Sequence, residues 1–459
     1  MSIIHNALSG ALAAQAALHT ASQNVANLMT PGYTRQGVLL ASVQPMFAGK
    51  LSAGSGVSVA SLVRFSDEYK SLQMWRAASE LGERSAAQPY LTQLEQVMGA
   101  EESGINSGLD AFFSALNAAS VDPTSTPLRQ QVIKAADALA QRFNSLNQVM
   151  SGQRSAVSQQ RLAVVEQINA LAAEIAKLNR HIADSQGTGV NPTALIDQRD
   201  MKIDELSRLV DLQVVNQPDG TRSVSLRGGQ PLVLGARSAT MTATYNPDGS
   251  QTLTVDFASE SFTLINNRLG GELGGLEHFE VDVLVPMMQS VSAMAEQFAD
   301  NVNTQLTAGF APDGSAGQPL FEFDSTGAVG ILRLRDGAIG SELAFSSNPA
   351  TPGNSDNLLL LIALRNQPVT LPTLGAVSLA DAATQLVGTL GTESQQNQAG
   401  LATAETVRNQ AEESWKSTSG VNADEEAVNL MQFQQLYQAN MKVVAVANEL
   451  FESTLAILS

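Results

Sequence analysis

Heptad repeats of apolar residues at both ends constrain this chain more than any other feature of it. In residues 422–459, Leu430, Tyr437, Val444, Phe451 and Leu458 recur every seven positions, and Leu436, Val443, Leu450 and Ile457 do so on an adjacent line. The spacing predicts one long helix with a coiled-coil repeat and a wide apolar face. At the other end Ile4, Ala11, Leu18 and Val25 form a weaker heptad line, flanked by Leu8, Leu12 and Met29. Either helix alone would expose too much apolar surface to be stable in water. Each needs a partner: the other end, the same ends of further copies, or a membrane.

Composition narrows the function classes. A net charge of −18, with no cluster of Lys and Arg, argues against nucleic acid and against a basic membrane-surface helix. No segment has the ~18 unbroken apolar residues of a membrane span, and residues 1–6 lack the positive start of a secretory signal. Cysteine is absent, which removes disulfides, thiol catalysis and cysteine-bound zinc. Aromatic residues make up only 5%, which suits long packed helices better than an aromatic-lined cleft.

The order of segments predicts an α+β, nested multidomain chain. Thr30-Pro31-Gly32-Tyr33 carries the type II turn signature and ends the first helix. Residues 35–65 read as strands or an extended arm. Helices follow over 66–186, with a capping box at Ser107-Gly108-Leu109-Asp110, a stop at Asp122-Pro123 and a restart at Thr126-Pro127. The helix over 128–186 has a break point at Gly152. Two hairpins are expected in 212–226 and 240–255, turning at Pro218-Asp219-Gly220 and Pro247-Asp248-Gly249. Gly270-Gly271 and Gly274-Gly275 read as a flexible return, 282–307 as a helix, and 315–372 as further β structure. Ser378-Leu379-Ala380-Asp381 is a second capping box, and Asn422 caps the final helix. The expected layout pairs the ends (1–33 with 422–459) and builds a helical shell from 34–210, 276–310 and 373–421. A β-rich outer domain (211–275 and 311–372) then protrudes from the middle.

Some short motifs invite a chemical reading and do not carry one. His5 and His19 would lie about 21 Å apart on one helix, too far to share a metal. His181 beside Asp184 reads as a solvated helix pair. The glycines at 270–275 lack the Lys-Ser/Thr ending of a phosphate loop. Asp424, Glu425 and Glu426 are explained by a helix N-terminus, where the dipole favours acidic residues. No catalytic, cofactor or metal residues are expected.

At the two ends the residues also resemble a known family. Ala7-Leu8-Ser9-Gly10, Ser22-Gln23-Asn24-Val25-Ala26-Asn27 and Thr30-Pro31-Gly32-Tyr33-Thr34-Arg35-Gln36 resemble the N-terminal motif of bacterial flagellar axial proteins, which comprise rod, hook and hook-associated proteins. Ser419-Gly420-Val421-Asn422-Ala423-Asp424-Glu425-Glu426, Phe433-Gln434-Gln435-Leu436-Tyr437-Gln438-Ala439 and Ala447-Asn448-Glu449-Leu450-Phe451 resemble the hook-associated proteins of the FlgK type. The hook protein usually lacks that last five-residue tail. The strong likeness covers residues 1–36 and 415–459, with weaker matches at 110–143 and 302–321. The chain is short for the family, so its outer domain is expected to be small or missing.

The resemblance implies a non-enzymatic structural subunit at the hook–filament junction, forming a ring with copies of itself. Hook protein would lie below it, and the next hook-associated protein or the flagellin side of the filament above. It further implies export through the flagellar type III channel to the cell exterior, with an export chaperone on the C-terminal helix. Subunit packing would fall to Ile4, Leu8, Ala11, Leu18, Asn24, Val25, Asn27, Leu430, Tyr437, Val444, Leu450, Phe451 and Leu458. Thr30, Pro31, Gly32 and Tyr33 would form a hinge. The rival readings are a hook or distal rod protein of the same family, or an unrelated secreted coiled-coil adhesin or effector.

Overall fold

The chain begins and ends in helices that lie along each other. The structure is a computed structural model and describes residues 2–44, 54–100, 104–188, 191–264, 269–326 and 330–458, the side chains of Ser2 and Leu458 excepted. Helix α1 (Ser2–Ala26) is followed by strands β1 (Gln36–Ser42) and β2 (Val57–Arg64), which form an antiparallel ribbon with a bulge at Leu39/Leu40. Helices α2 (Glu68–Met98), α3 (Ile105–Val121), α4 (Thr126–Thr188) and α5 (Thr193–Leu209) come next. Helix α4 runs unbroken for 63 residues, about 95 Å. Gly152 does not interrupt it, and a side chain there would meet nothing within 4 Å.

The sheets are small and antiparallel. Strands β3 (Leu212–Asn216), β4 (Arg222–Leu226), β5 (Pro231–Leu234) and β6 (Arg237–Ser238) form one in sequence order. Strands β7 (Thr240–Tyr245), β8 (Gln251–Phe257) and β9 (Glu260–Leu264) form a second. Both expected hairpin turns are present, with Gly220 and Gly249 at positive φ. The aspartate of each turn accepts from the side chain and backbone of the residue two further on, Thr221 or Ser250. Those bonds, the side-chain one foremost, hold both carboxyls below the usual aspartate range.

Helix α6 (Gly271–His278) then passes through a π-helical turn (Phe279–Leu284) into α7 (Val285–Thr307). The expected flexible glycine return is not what these residues build. Gly274 and Gly275 are buried inside α6, and a Cβ on Gly275 would come within 2.0 Å of the Glu83 carbonyl oxygen. On the facing helix a Cβ on Gly82 would lie 2.1 Å from the Arg208 carbonyl. These glycines let α2 approach its neighbours at backbone contact, a packing role that composition alone cannot distinguish from flexibility.

Residues 315–372 hold less strand than expected. Strands β10 (Phe321–Phe323) and β11 (Leu332–Leu334) pair briefly, helix α8 (Asp356–Ala363) follows, and β12 (Pro368–Leu371) pairs with β13 (Gly375–Ser378). Ser378 then caps α9 (Leu379–Ser419) through the Asp381 N–H, as its capping box predicts. The box at Ser107 fails: α3 begins two residues earlier, and Ser107 lies inside its first turn, bonding back to the Gly104 carbonyl. The chain ends in α10 (Ala423–Leu458), capped by the Asn422 side chain through the Asp424 N–H at 3.0 Å. The fold is therefore α+β, dominated by helices with small sheets attached.

A shared core joins these parts. Phe112 of α3, Phe298 of α7 and Phe321 of β10 form a triangle with ring centroids 5.2–6.1 Å apart, two of the pairs edge-on. Sheets are fastened to helices by amide side chains that mimic a neighbouring strand. Asn169 of α4 donates to the Met241 carbonyl at 2.8 Å and accepts from the Met241 N–H at 2.7 Å. Asn144 does the same with Leu332, and Asn179 with Arg222. Asn303 and Gln297 of α7 repeat the device on Phe321 and Thr370. One long helix thus carries strands from three different sheets. Asn179→Leu should lower stability by about 1–3 kcal/mol, because it leaves the Arg222 N–H buried and unpaired. A fall in the urea midpoint at constant m-value checks this; an unchanged midpoint rejects it.

Candidate functional site

The candidate site is the terminal helix pair and the joint that attaches it to the body. On α1 the buried positions are the alanines Ala7, Ala11, Ala13, Ala14, Ala17 and Ala21, with Asn24 near its end. These small residues let the helix lie close to α10 and to the ribbon. A Cβ on Gly10 would fall 2.5 Å from Asn440 Oδ1. On α10 Asn429 is half-buried, and so are Leu430, Phe433, Tyr437, Asn440, Val444 and Ala447, which form a 3–4 alternation facing α1.

The expected packing residues divide between this seam and the surface. Ala11 is buried, Ile4 and Leu18 are half-buried, and Leu8 and Val25 are exposed. Leu430, Tyr437 and Val444 lie in the seam of α10. Leu450 and Phe451 are 60% and 61% exposed, and the Leu458 side chain lies outside the described residues. The heptad line on α1 mixes Ala11 with larger residues, whereas close approach buries alanines and turns Leu8 and Leu12 outward. The two helices run antiparallel, since Gly10 meets Asn440 while Arg35 meets Glu425 and Glu426. Helix α10 is 11 residues longer (36 against 25), so its last ~16 Å extends beyond α1. Leu450, Phe451, Leu455 and Ile457 lie on that extension.

Asn24 and Asn27 bond within their own chain. Asn24 is buried, donates to the Gln36 carbonyl, and accepts from the Gln36 N–H and the Tyr33 hydroxyl. Asn27 donates to the Gln23 carbonyl and accepts from Thr30. Their bonds fold the chain back after α1. The turn itself has the predicted geometry: Gly32 has φ +72° and the Tyr33 N–H donates to the Thr30 carbonyl. Burial first, and then the Asp197 and Glu426 carboxylates, push the Tyr33 phenol up to about 12, so it remains a donor at neutral pH.

Beyond the turn the arm is clamped by charge. Arg35 reaches Glu425 at 2.7 Å and Glu426 at 3.1 Å, and its guanidinium lies over Phe65. Its N–H also donates to the Ser419 carbonyl. Arg64, at the end of β2, bonds Asp197 at 2.8 Å and Asp200 at 2.9 Å on α5. Asp197 also accepts from the Thr34 N–H, and Asp200 from Arg199 and Arg222. Burial pushes the Asp197 carboxyl up, against the pull of Arg64 and Thr34. Lys70 closes the other side by donating to the Ser414 carbonyl and Thr418 at the end of α9. A cavity of about 640 Å3 lies under the turn, with Met29, Trp75, Met201, Arg408 and Trp415 in its lining. Arg64, Asp197 and Asp200 escaped the sequence reading because a buried ion pair between distant residues leaves no periodic signal.

Among the described residues no cluster of His, Asp or Glu could hold a metal, and no helix is long and apolar enough to cross a membrane. Paired ends, an uncovered apolar face and a clamped joint define an axial structural subunit. Residues 417–457 match the family model for the C-terminal part of flagellar basal body rod FlgEFG proteins. Residues 91–321 match the model for the helical domain of the flagellar hook-associated protein FlgK. The chain belongs to the FlgK family of flagellar hook-associated proteins.

It is 27% identical to flagellar hook-associated protein 1 of Escherichia coli (strain K12) over 99% of this chain and 100% of that one. It is 28% identical to the protein of the same name from Bacillus subtilis (strain 168), over 96% and 95%. The Escherichia coli alignment spans 544 positions against 459 residues here, so the relative carries segments with no counterpart in this chain. A solved flagellar hook junction protein FlgK from Burkholderia pseudomallei superposes with a TM-score of 0.52 at 30% identity, covering 55% of this chain and 47% of that one.

Asp197→Ala should cost about 1–3 kcal/mol, since it leaves the Thr34 N–H without its acceptor and Arg64 with Asp200 alone. It should also speed amide exchange at Thr34. Wild-type exchange at Thr34 in the folded variant would remove the clamp from the argument.

Proposed function

We propose that this chain is the structural subunit joining hook to filament in a bacterial flagellum, and that its ends are the polymerising part. The single observation that carries this is full-length similarity to hook-associated protein 1, combined with an apolar extension of α10 that nothing among the described residues covers. A hook or rod protein is the weaker reading. The rod-type match is confined to residues 417–457, whereas the hook-associated relatives align along the whole chain.

In this reading residues 1–33 and 422–459 face the inner core of the assembly, as a nested coiled-coil pair, and copies of the chain form a ring. The ribbon goes with them, because it packs on α1. The helices of 34–210, 276–310 and 373–421 form the next shell, and the sheets of 211–275 and 311–372 face outward. Hook protein lies on one side, and the next hook-associated protein or the flagellin side of the filament on the other. Thr30, Pro31, Gly32 and Tyr33 set the angle of the terminal pair rather than swinging freely, because Arg35 and Arg64 brace both sides of the turn.

A strain lacking the protein should grow hooks without filaments, whereas absent hooks would favour the rod or hook reading. Leu450→Asp or Phe451→Asp should leave that strain without filaments when supplied in place of the wild type, with the body still folded. Burying an unpaired carboxylate costs several kcal/mol, repeated at each subunit. Normal filaments from either variant in electron micrographs would refute the assignment of these residues.

The same exposed face calls for protection before assembly. We assign it an export chaperone, with delivery to the cell exterior through the flagellar type III channel. Deleting residues 422–459 should abolish co-purification with that chaperone while leaving some secretion. Retained chaperone binding by the truncated chain would defeat this part.

A further inference from the structure

Sulfur in this chain is confined to methionine, since cysteine is absent. Its distribution over the surface is uneven. Met29 is 88% exposed, Met431 56% and Met441 41%. All three lie on the terminal segments: Met29 just past α1, and Met431 and Met441 on α10. The other methionines among the described residues are buried or half-buried in the body, with Met150 and Met294 fully enclosed. The thioethers open to solvent therefore coincide with the surface that the reading above assigns to assembly.

We propose that Met29, Met431 and Met441 are modification sites at which peroxide oxidation disables the unassembled subunit. Each thioether sulfur takes one oxygen atom from a peroxide such as hydrogen peroxide. The O–O bond breaks, an S=O bond forms, sulfur loses two electrons, and the peroxide leaves as water. No proton is gained or lost overall. The product is polar and chiral where the parent was flexible and apolar. Sulfoxide at Met431 or Met441 places an acceptor on an apolar helix surface, and burying that surface leaves the acceptor without a donor. Met29 stands at the edge of the cavity under the turn, so oxidation there alters the joint as well. Buried methionines of the body are shielded until the chain unfolds, so the folded subunit reacts first where it assembles. An assembled copy, its terminal face covered, would be protected. This inference rests on the junction reading for its consequence, but not for its chemistry.

The test has two arms on the full-length chain. First, folded protein is treated with limiting hydrogen peroxide and digested, and sulfoxide is quantified at each described methionine. Met29, Met431 and Met441 should each oxidise at least ~10-fold faster than Met150, Met241 or Met294, as exposure requires. Equal rates would overturn the site assignment whatever the protein's function. Second, treated protein is supplied to hook-bearing cells that lack it, beside a Met29→Leu, Met431→Leu, Met441→Leu variant given the same dose. Wild-type incorporation should be lost and the triple variant's retained. Equal loss in both, or no loss in either, would overturn the consequence. Failure of untreated wild type to incorporate would instead count against the junction reading, leaving the first arm to decide the chemistry.

Discussion

Close contact between α1 and α10 governs the rest of the molecule. It can form only because one side of the seam is alanine and glycine, and it brings together residues separated by nearly the whole chain. Once the ends meet, everything between them must leave and return at the same place. Helix α2 leaves beside α9, with Lys70 reaching the last turn of α9. The larger apolar residues, relieved of the seam, are left facing outward.

The joint shows how a turn can be conformationally defined without being loose. A proline and a positive-φ glycine set the reversal, and three polar fixtures hold it: Asn24 under the turn, Arg35 against α10, and Arg64 against α5. Arg64 and Asp197 are both nearly enclosed, where removing either partner costs far more than the pair contributes on its own. Such a joint sets an angle and resists drift from it. That suits a structural part of a hook–filament junction.

Much of this was legible in the sequence, for physical reasons that can be named. Heptad spacing located both terminal helices, and Pro-Asp-Gly located the hairpins because an aspartate that bonds two residues ahead can be recognised locally. The capping box at Ser378 worked, and the one at Ser107 did not, because the same residues occur inside a first turn. Gly274 and Gly275 were misread since permissive φ and the need for a missing side chain look identical in one dimension. The α1 heptad line of Ile4, Ala11, Leu18 and Val25 follows the seam only in part, with Ala11 buried and Val25 exposed, because a hydrophobic pattern reports which residues avoid water and not how closely two backbones approach. The Arg64 clamp and the strand-mimicking asparagines of α4 are long-range and polar, and neither leaves a period to detect.

The span of the α1–α10 seam has a kinetic side. It closes the longest loop this chain can make, and the chain entropy spent in closing it is the largest of any contact in the molecule. Hairpins, the α3–α4 turn and the α6–α7 helix are local and form without waiting for it. The terminal pairing is therefore the contact with the most chain entropy set against it, and the buried alanines of α1 are what offset that cost. A contact that costs so much chain entropy also releases the most when it opens, so the two ends can part while the local elements stay folded.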